Sequence, residues 1–249
     1  MKILVYDGSW SGLLTAIFDS YELRLKDFRI LSADQKQASL FGEALEVYTD
    51  VTKAKRVWLG LSKIVSAQSL KQLFDVFLSE LPDKEYLISE FMHQAFKNKE
   101  SPEKNYGDSV VLRIAQLSRM VHREKHRMEA FIRFQLTSDQ LFYATVEPDF
   151  NVLPLIIRHF KNRYADQRWL IYDLKRKYGI YYNLNEVEEV QLSLQSNQNT
   201  ADVFHAEEEL YQKLWSQYFE SVNIKERKNT KLHLQHVPRR YWKHLTEKL

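Results

Sequence analysis

Two hairpin signals separated by a helix constrain this chain more than any other feature. Residues 130–136 and 141–147 carry aromatic, β-branched and charged side chains in alternation on either side of Thr137-Ser138-Asp139-Gln140. Residues 169–174 and 180–183 do the same around a tight Lys175-Arg176-Lys177-Tyr178-Gly179 turn. Runs of this kind, bounded by turn residues, read as paired strands. The stretch from Val152 to about Ala165 reads as a helix whose first turn tolerates Pro154. Upstream, Asp108 caps an expected long helix through Met128, with Val111, Ile114, Ala115, Leu117 and Val121 as its apolar stripe. Helix, hairpin, helix, hairpin is solved most simply by an antiparallel sheet backed by several helices. The expected fold class is therefore α+β.

The N-terminal part has a different pattern. Residues 2–7 form an apolar first strand, ended by Asp7-Gly8-Ser9, and a helix follows with Leu13, Leu14, Ile17 and Phe18 on one face. Further strands fit 28–31 and 46–48. Helices fit a segment capped by Thr52, then 70–81 and 85–97. Asp7-Gly8-Ser9 before a helix N-terminus suits either a bound anion or an ordinary turn and cap, and the second is the commoner outcome. With 249 residues and only 6 Gly and 5 Pro, the chain reads as a single compact domain, 1–249. Within it, an α/β part (1–105) precedes a hairpin-rich core with a basic C-terminal tail (106–249).

The absence of cysteine excludes disulfides, thiolate zinc sites and cysteine nucleophiles. It suits a cytoplasmic protein. No apolar run approaches a membrane span, and the N-terminal one is too short for a signal peptide. No Walker-type loop, Gly-rich dinucleotide turn or Gly-x-Ser-x-Gly elbow is present. His205-Ala206-Glu207 matches half of a zinc deaminase signature whose other half needs cysteines. No cofactor or metal is called for.

Charge is distributed unevenly although the net is only +3. Residues 186–209 hold seven acids and no Lys or Arg, and 225–249 hold eight bases against two acids. This asymmetry fits a localised anionic partner, or blocks that pair within the fold. An expected amphipathic helix over 206–222 lies between them. Candidate nucleic-acid contacts are Arg127, Arg133, Arg163, Arg168, Lys175, Arg176, Arg239, Arg240 and Lys243, with Trp169 and Tyr241 beside them. Arg suits bidentate phosphate contacts, and exposed aromatics stack on bases. For the aromatics, core packing is the competing reading. Glu124, His126, Glu147 and Asp149 are candidate catalytic groups. His122 and His126 share a helix face, and carboxylates including Asp166 and Asp173 at strand ends would have to converge to hold a metal.

The chain resembles a bacterial family of probable DNA metabolism proteins that is otherwise a domain of unknown function. The resemblance spans nearly the whole chain. It rests on Tyr6-Asp7-Gly8-Ser9, Glu124-x-His126-Arg127-Met128, Phe131-x-Arg133-Phe134, Glu147-Pro148-Asp149, Ala165-Asp166-Gln167-Arg168-Trp169 and Pro238-Arg239-Arg240-Tyr241-Trp242-Lys243. It implies a role in DNA repair or modification beside a radical-SAM protein with a helix–hairpin–helix element. Relatives fused to a uracil-DNA-glycosylase-like domain are also implied, but that half and its motifs are not in this sequence. The expectation is a protein that binds DNA, the radical-SAM partner, or both. Two alternatives stand beside it: a metal-dependent, nuclease-like enzyme, and an adaptor that docks a basic partner through its acidic segment.

Overall fold

A computed structural model describes residues 1–38, 43–191 and 234–245, together with Leu214 and Lys248. The chain packs as two units, Met1–Val121 and His122–Leu249. The helix expected over 206–222, the deaminase-like His205-Ala206-Glu207 and most of the acidic run lie outside the described residues.

In the first unit, strand β1 (Lys2–Tyr6) leads through helix α1 (Trp10–Glu22) to β2 (Phe28–Ser32), which pairs with it in parallel. A 3₁₀ turn follows, and β3 (Glu43–Glu46) lies parallel on the other edge of β1. β1 is therefore central, and Ile3, Leu4, Val5 and Tyr6 are all buried. Their unbroken apolar run suits a strand covered on both faces. This sheet is parallel because a helical crossover returns the chain in the same direction.

Asp7 and Ser9 consume the start of α1 locally. The Asp7 carboxylate accepts from Ser9 N (2.9 Å) and Thr49 Oγ1 (2.7 Å), and Ser9 Oγ accepts from Gly12 N. A side chain at Gly12 would collide with that carboxylate. The segment is thus a turn and cap. Helices α2 (Val51–Ser62), α3 (Ala67–Leu78) and α4 (Lys84–Asn98) complete the layer, and Leu61, Leu73, Val76, Ile88 and Met92 sit in its core. Asp50, not Thr52, caps α2, accepting from Thr52 N and Lys53 N.

Helix α5 (Ser109–Phe131) starts on the expected Asp108 cap, whose Oδ1 accepts from Val110 N and Val111 N. It runs past the expected end. The strand expected over 130–136 is reduced to β4 (Gln135–Leu136). Two contacts hold the extra helical turn: Arg133 Nη1 donates to the Ala130 carbonyl (2.7 Å), and the Phe131 ring packs on Tyr241.

In the second unit β5 (Phe142–Val146) pairs with β4 in the first expected hairpin. Helix α6 (Leu153–Arg163) then carries the chain to β6 (Trp169–Asp173). β6 forms the second expected hairpin with β7 (Tyr178–Tyr182), and β8 (Val187–Val190) extends it. The order is β4-β5-β6-β7-β8, antiparallel within the hairpins but parallel between β5 and β6. Every residue of β6 is buried, as suits the middle of the sheet. Within the basic tail lies a 3₁₀ helix, Arg239–His244, led by Pro238. No helix among the described residues is long and apolar enough to cross a membrane.

Candidate anion-binding cleft

The parallel β5–β6 pair sets the site. It brings Val146 opposite Asp173, so the segment after β5 and the turn after β6 leave the same edge of the sheet. Asp173 is fully buried and organises that turn. Its Oδ1 accepts from Lys175 N (2.9 Å) and Arg176 N (3.0 Å), while Oδ2 pairs with Arg176 Nη1 at 2.8 Å. Arg176 reaches across to the Pro148 and Asp149 carbonyls, at 3.1 Å each, and Lys175 Nζ donates to the same Asp149 carbonyl. The Glu147-Pro148-Asp149 segment is thereby held from one side.

Glu124 of α5 holds it from the other. Only 1% exposed, its Oε1 accepts from Asp149 N (2.9 Å) and Tyr241 Oη (2.5 Å). Its Oε2 lies 3.4 Å from both Arg127 Nη1 and Arg240 Nη2. Burial, followed by the Glu124 carboxylate, pushes the Tyr241 phenol well above its ordinary value, so it donates as a neutral hydroxyl.

The 3₁₀ helix supplies the remaining wall. Arg240 Nη2 pairs with Asp149 Oδ2 at 2.6 Å, and Lys243 pairs with Glu147. The Lys243 hydrogen bond and charge hold the Glu147 carboxyl below its usual range. The buried His244 Nε2 lies 3.8 Å from the Glu147 carboxylate, beyond hydrogen-bond reach, and burial lowers the imidazole's pKa. Arg239 lies 5.8 Å from the Trp242 ring. Among the described residues, Lys175, Arg239, Arg240, Lys243, Glu147, Pro148 and Asp149 line an open cleft of about 610 Å³.

Four of the sequence candidates for nucleic-acid contact therefore meet in one place: Lys175, Arg239, Arg240 and Lys243. The others do not join them in the cleft. Trp169 has no exposed surface and packs among Phe134, Phe160 and Tyr182. Tyr241 is 2% exposed. Neither ring can stack on a base, because both faces are already covered. Arg176 is a buried brace, and Arg127 turns inward to Glu124. Arg133 caps α5. Arg163 lies over the Tyr164 ring, and Arg168 donates to the Asp139 carbonyl.

The catalytic candidates also separate. Glu147 and Asp149 line the cleft, whereas Glu124 is spent on internal donors and His126 pairs with Glu129 at 3.1 Å. Among the described residues no group of three or more His, Asp or Glu side chains is placed to hold a metal ion. The convergence of Glu124, Glu147, Asp149, Asp166 and Asp173 that a metal would require does not form: Asp173 is taken by Arg176, and Glu124 by Tyr241 and a backbone amide.

Sequence reasoning passed over His244 and the bracing roles of Asp173 and Arg176. The Asp173-x-Lys175-Arg176 spacing is an Asx-turn signal that was there to be read. The Glu124–Tyr241 contact had none.

A family model described as a domain of unknown function, DUF4130, matches residues 82–247. No curated protein matches the chain. Among solved structures, the chain is similar to a pGpG-specific phosphodiesterase, PggH from Vibrio cholerae, at 10% identity. That match covers 72% of this chain and 80% of the other with a TM-score of 0.30, and at those values it carries no argument.

Proposed function

The chain belongs to the DUF4130 family, and we propose that its second unit binds the phosphates of DNA through the cleft between Glu147-Pro148-Asp149 and the Arg239–His244 helix. The observation that carries this reading is the bracing. Two buried carboxylates, Glu124 and Asp173, hold one short surface segment and the cations beside it. Taking a carboxylate out of water costs several kcal/mol unless its partners are well placed. Sites that hold cations in a set geometry are those that recognise anions, since pre-arranged donors need no reorganisation on binding.

The resemblance supplies the context: DNA metabolism, with DNA, a radical-SAM helix–hairpin–helix protein, or both as partners. The chemistry of the cleft favours direct contact with phosphate. Lys243 and Arg239 lie four residues apart on the same short 3₁₀ helix, and Lys175 approaches from the β6–β7 turn. Glu147 and Asp149 would share their cations with an incoming phosphate.

Salt dependence tests this. Affinity for DNA should fall with salt at a log–log slope of about −0.9 per phosphate contacted in a duplex, and about −0.7 in a single strand. The double variant Lys175→Gln/Arg239→Gln should reduce that slope by about two contacts. Both side chains can be replaced without unpairing a buried carboxylate. Undetectable binding to single- and double-stranded DNA, or a slope unchanged in the double variant, would overturn the reading.

A further inference from the structure

We infer that the cleft takes a phosphate monoester, such as the terminal phosphate of a nucleotide chain, in preference to an internal phosphodiester. This rests on the reading above and narrows it to a class of ligand. The first argument is charge. Four cations and two carboxylates line the cleft, a surplus of two positive charges. An internal diester carries one negative charge, whereas a monoester carries roughly 1.5–2 near neutral pH and offers three strong acceptor oxygens.

The second argument is how that surplus is arranged. Arg240 is matched by Asp149 and Lys243 by Glu147. Lys175 donates to a carbonyl and Arg239 lies over the face of Trp242, so the partners of these two cations are uncharged. The two-charge surplus therefore sits on one side chain from the β6–β7 turn and one from the 3₁₀ helix. A guanidinium can bind two phosphate oxygens at once, and an ammonium acts as a point charge beside it.

The third argument is size and lining. At about 610 Å³ the cleft has the volume of a small-molecule site. That is room for one terminal nucleotide. The Glu147 and Asp149 carboxylates are acceptors suited to a sugar hydroxyl or a base amino group. A continuous backbone would pass two or more diesters by the same carboxylates and meet repulsion there.

The experiment compares single-stranded oligonucleotides of one sequence carrying a 5′-phosphate, a 3′-phosphate or hydroxyls at both ends, by fluorescence anisotropy with the full chain. A deoxynucleoside monophosphate and inorganic phosphate serve as competitors. A strand with one phosphorylated end should bind about tenfold more tightly than the hydroxyl-ended strand, from added charge-assisted hydrogen bonds. Lys175→Gln and Arg239→Gln should each erase that preference, and Arg163→Gln, outside the cleft, should keep it. Melting temperatures identify any variant that fails to fold, and the comparison of phosphorylated with hydroxyl-ended strands on the unaltered chain tests the inference independently of every variant.

Competition by the monophosphate at concentrations near the oligonucleotide's own affinity would identify free nucleotides as the source of the monoester. Failure to compete, with end preference retained, would identify strand ends. Equal affinity for phosphorylated and hydroxyl-ended strands overturns the inference while leaving DNA binding intact. Binding of the monophosphate without binding of any strand would instead overturn the DNA reading and keep the monoester site. Absence of binding to every probe overturns both.

Discussion

Glu124 is buried to 1% exposure, and four donors face its two oxygens. Those donors come from three parts of the second unit: Arg127 from α5, the Asp149 amide from the segment after β5, and Arg240 and Tyr241 from the tail. Losing the carboxylate would take this acceptor from the Arg127 guanidinium, the buried Tyr241 hydroxyl and the Asp149 amide, while Arg240 would keep Asp149. Glu124→Ala should therefore lower the stability of this unit by about 3–5 kcal/mol. Glu124→Gln keeps an oxygen for the Asp149 amide and should cost less. Hydrogen exchange at the β5 and β6 amides is the measurement, and protection unchanged in Glu124→Ala would show that the clamp is dispensable. From sequence alone Glu124 was a catalytic candidate, because a Glu beside two His on a cationic helix suits a site as well as a core. Its burial decides the matter, and burial depends on a tyrosine 117 residues away.

The β6–β7 hairpin was legible because everything that defines it is local. Aromatic and β-branched residues alternate, and the turn occupies residues 174–177, where Lys177 takes φ 57°, so Tyr178 and Gly179, expected in the turn, open β7 instead. Gly179 closes the pair tightly: a Cβ there would lie 2.9 Å from the Ile171 carbonyl and 3.0 Å from the Tyr172 ring. Gly179→Ala should destabilise the hairpin by about 1–3 kcal/mol through overpacking. Chemical denaturation of the variant measures it, and a neutral result would mean the strands part without cost. The end of α5 was read a turn early because Phe131-Ile132-Arg133-Phe134 satisfies a strand's alternation as well as a helix's last turn. The parallel β5–β6 pair was not read. Strand pairing across α6 is a long-range event, and the hairpins on either side invited an all-antiparallel solution.

The molecule's response to acid follows from groups held away from their ordinary titration. Burial lowers the pKa of His244, and the Lys243 bond lowers that of Glu147. Asp7, Asp50 and Glu103 are lowered as well. Each of these groups binds protons more readily when unfolded, so its contribution is complete above its ordinary pKa and is lost as pH falls through the folded value. Stability should thus begin to drop below about pH 6.5, where an unfolded histidine starts to protonate, and drop further below about 4.5 as the carboxylates follow. Melting temperature against pH checks it. His244→Gln should flatten the upper limb alone, and an unchanged upper limb would assign it elsewhere. On its own, the sequence determined most of the described elements and their apolar faces and the α+β class, because a period of 3.6 or 2 is written in consecutive residues. Only the tertiary structure decided which charges are braces and which line a cleft. Glu124 looks no different in the sequence from Glu147, and what separates them is solvent. Access to solvent is settled by contacts between segments far apart in the chain.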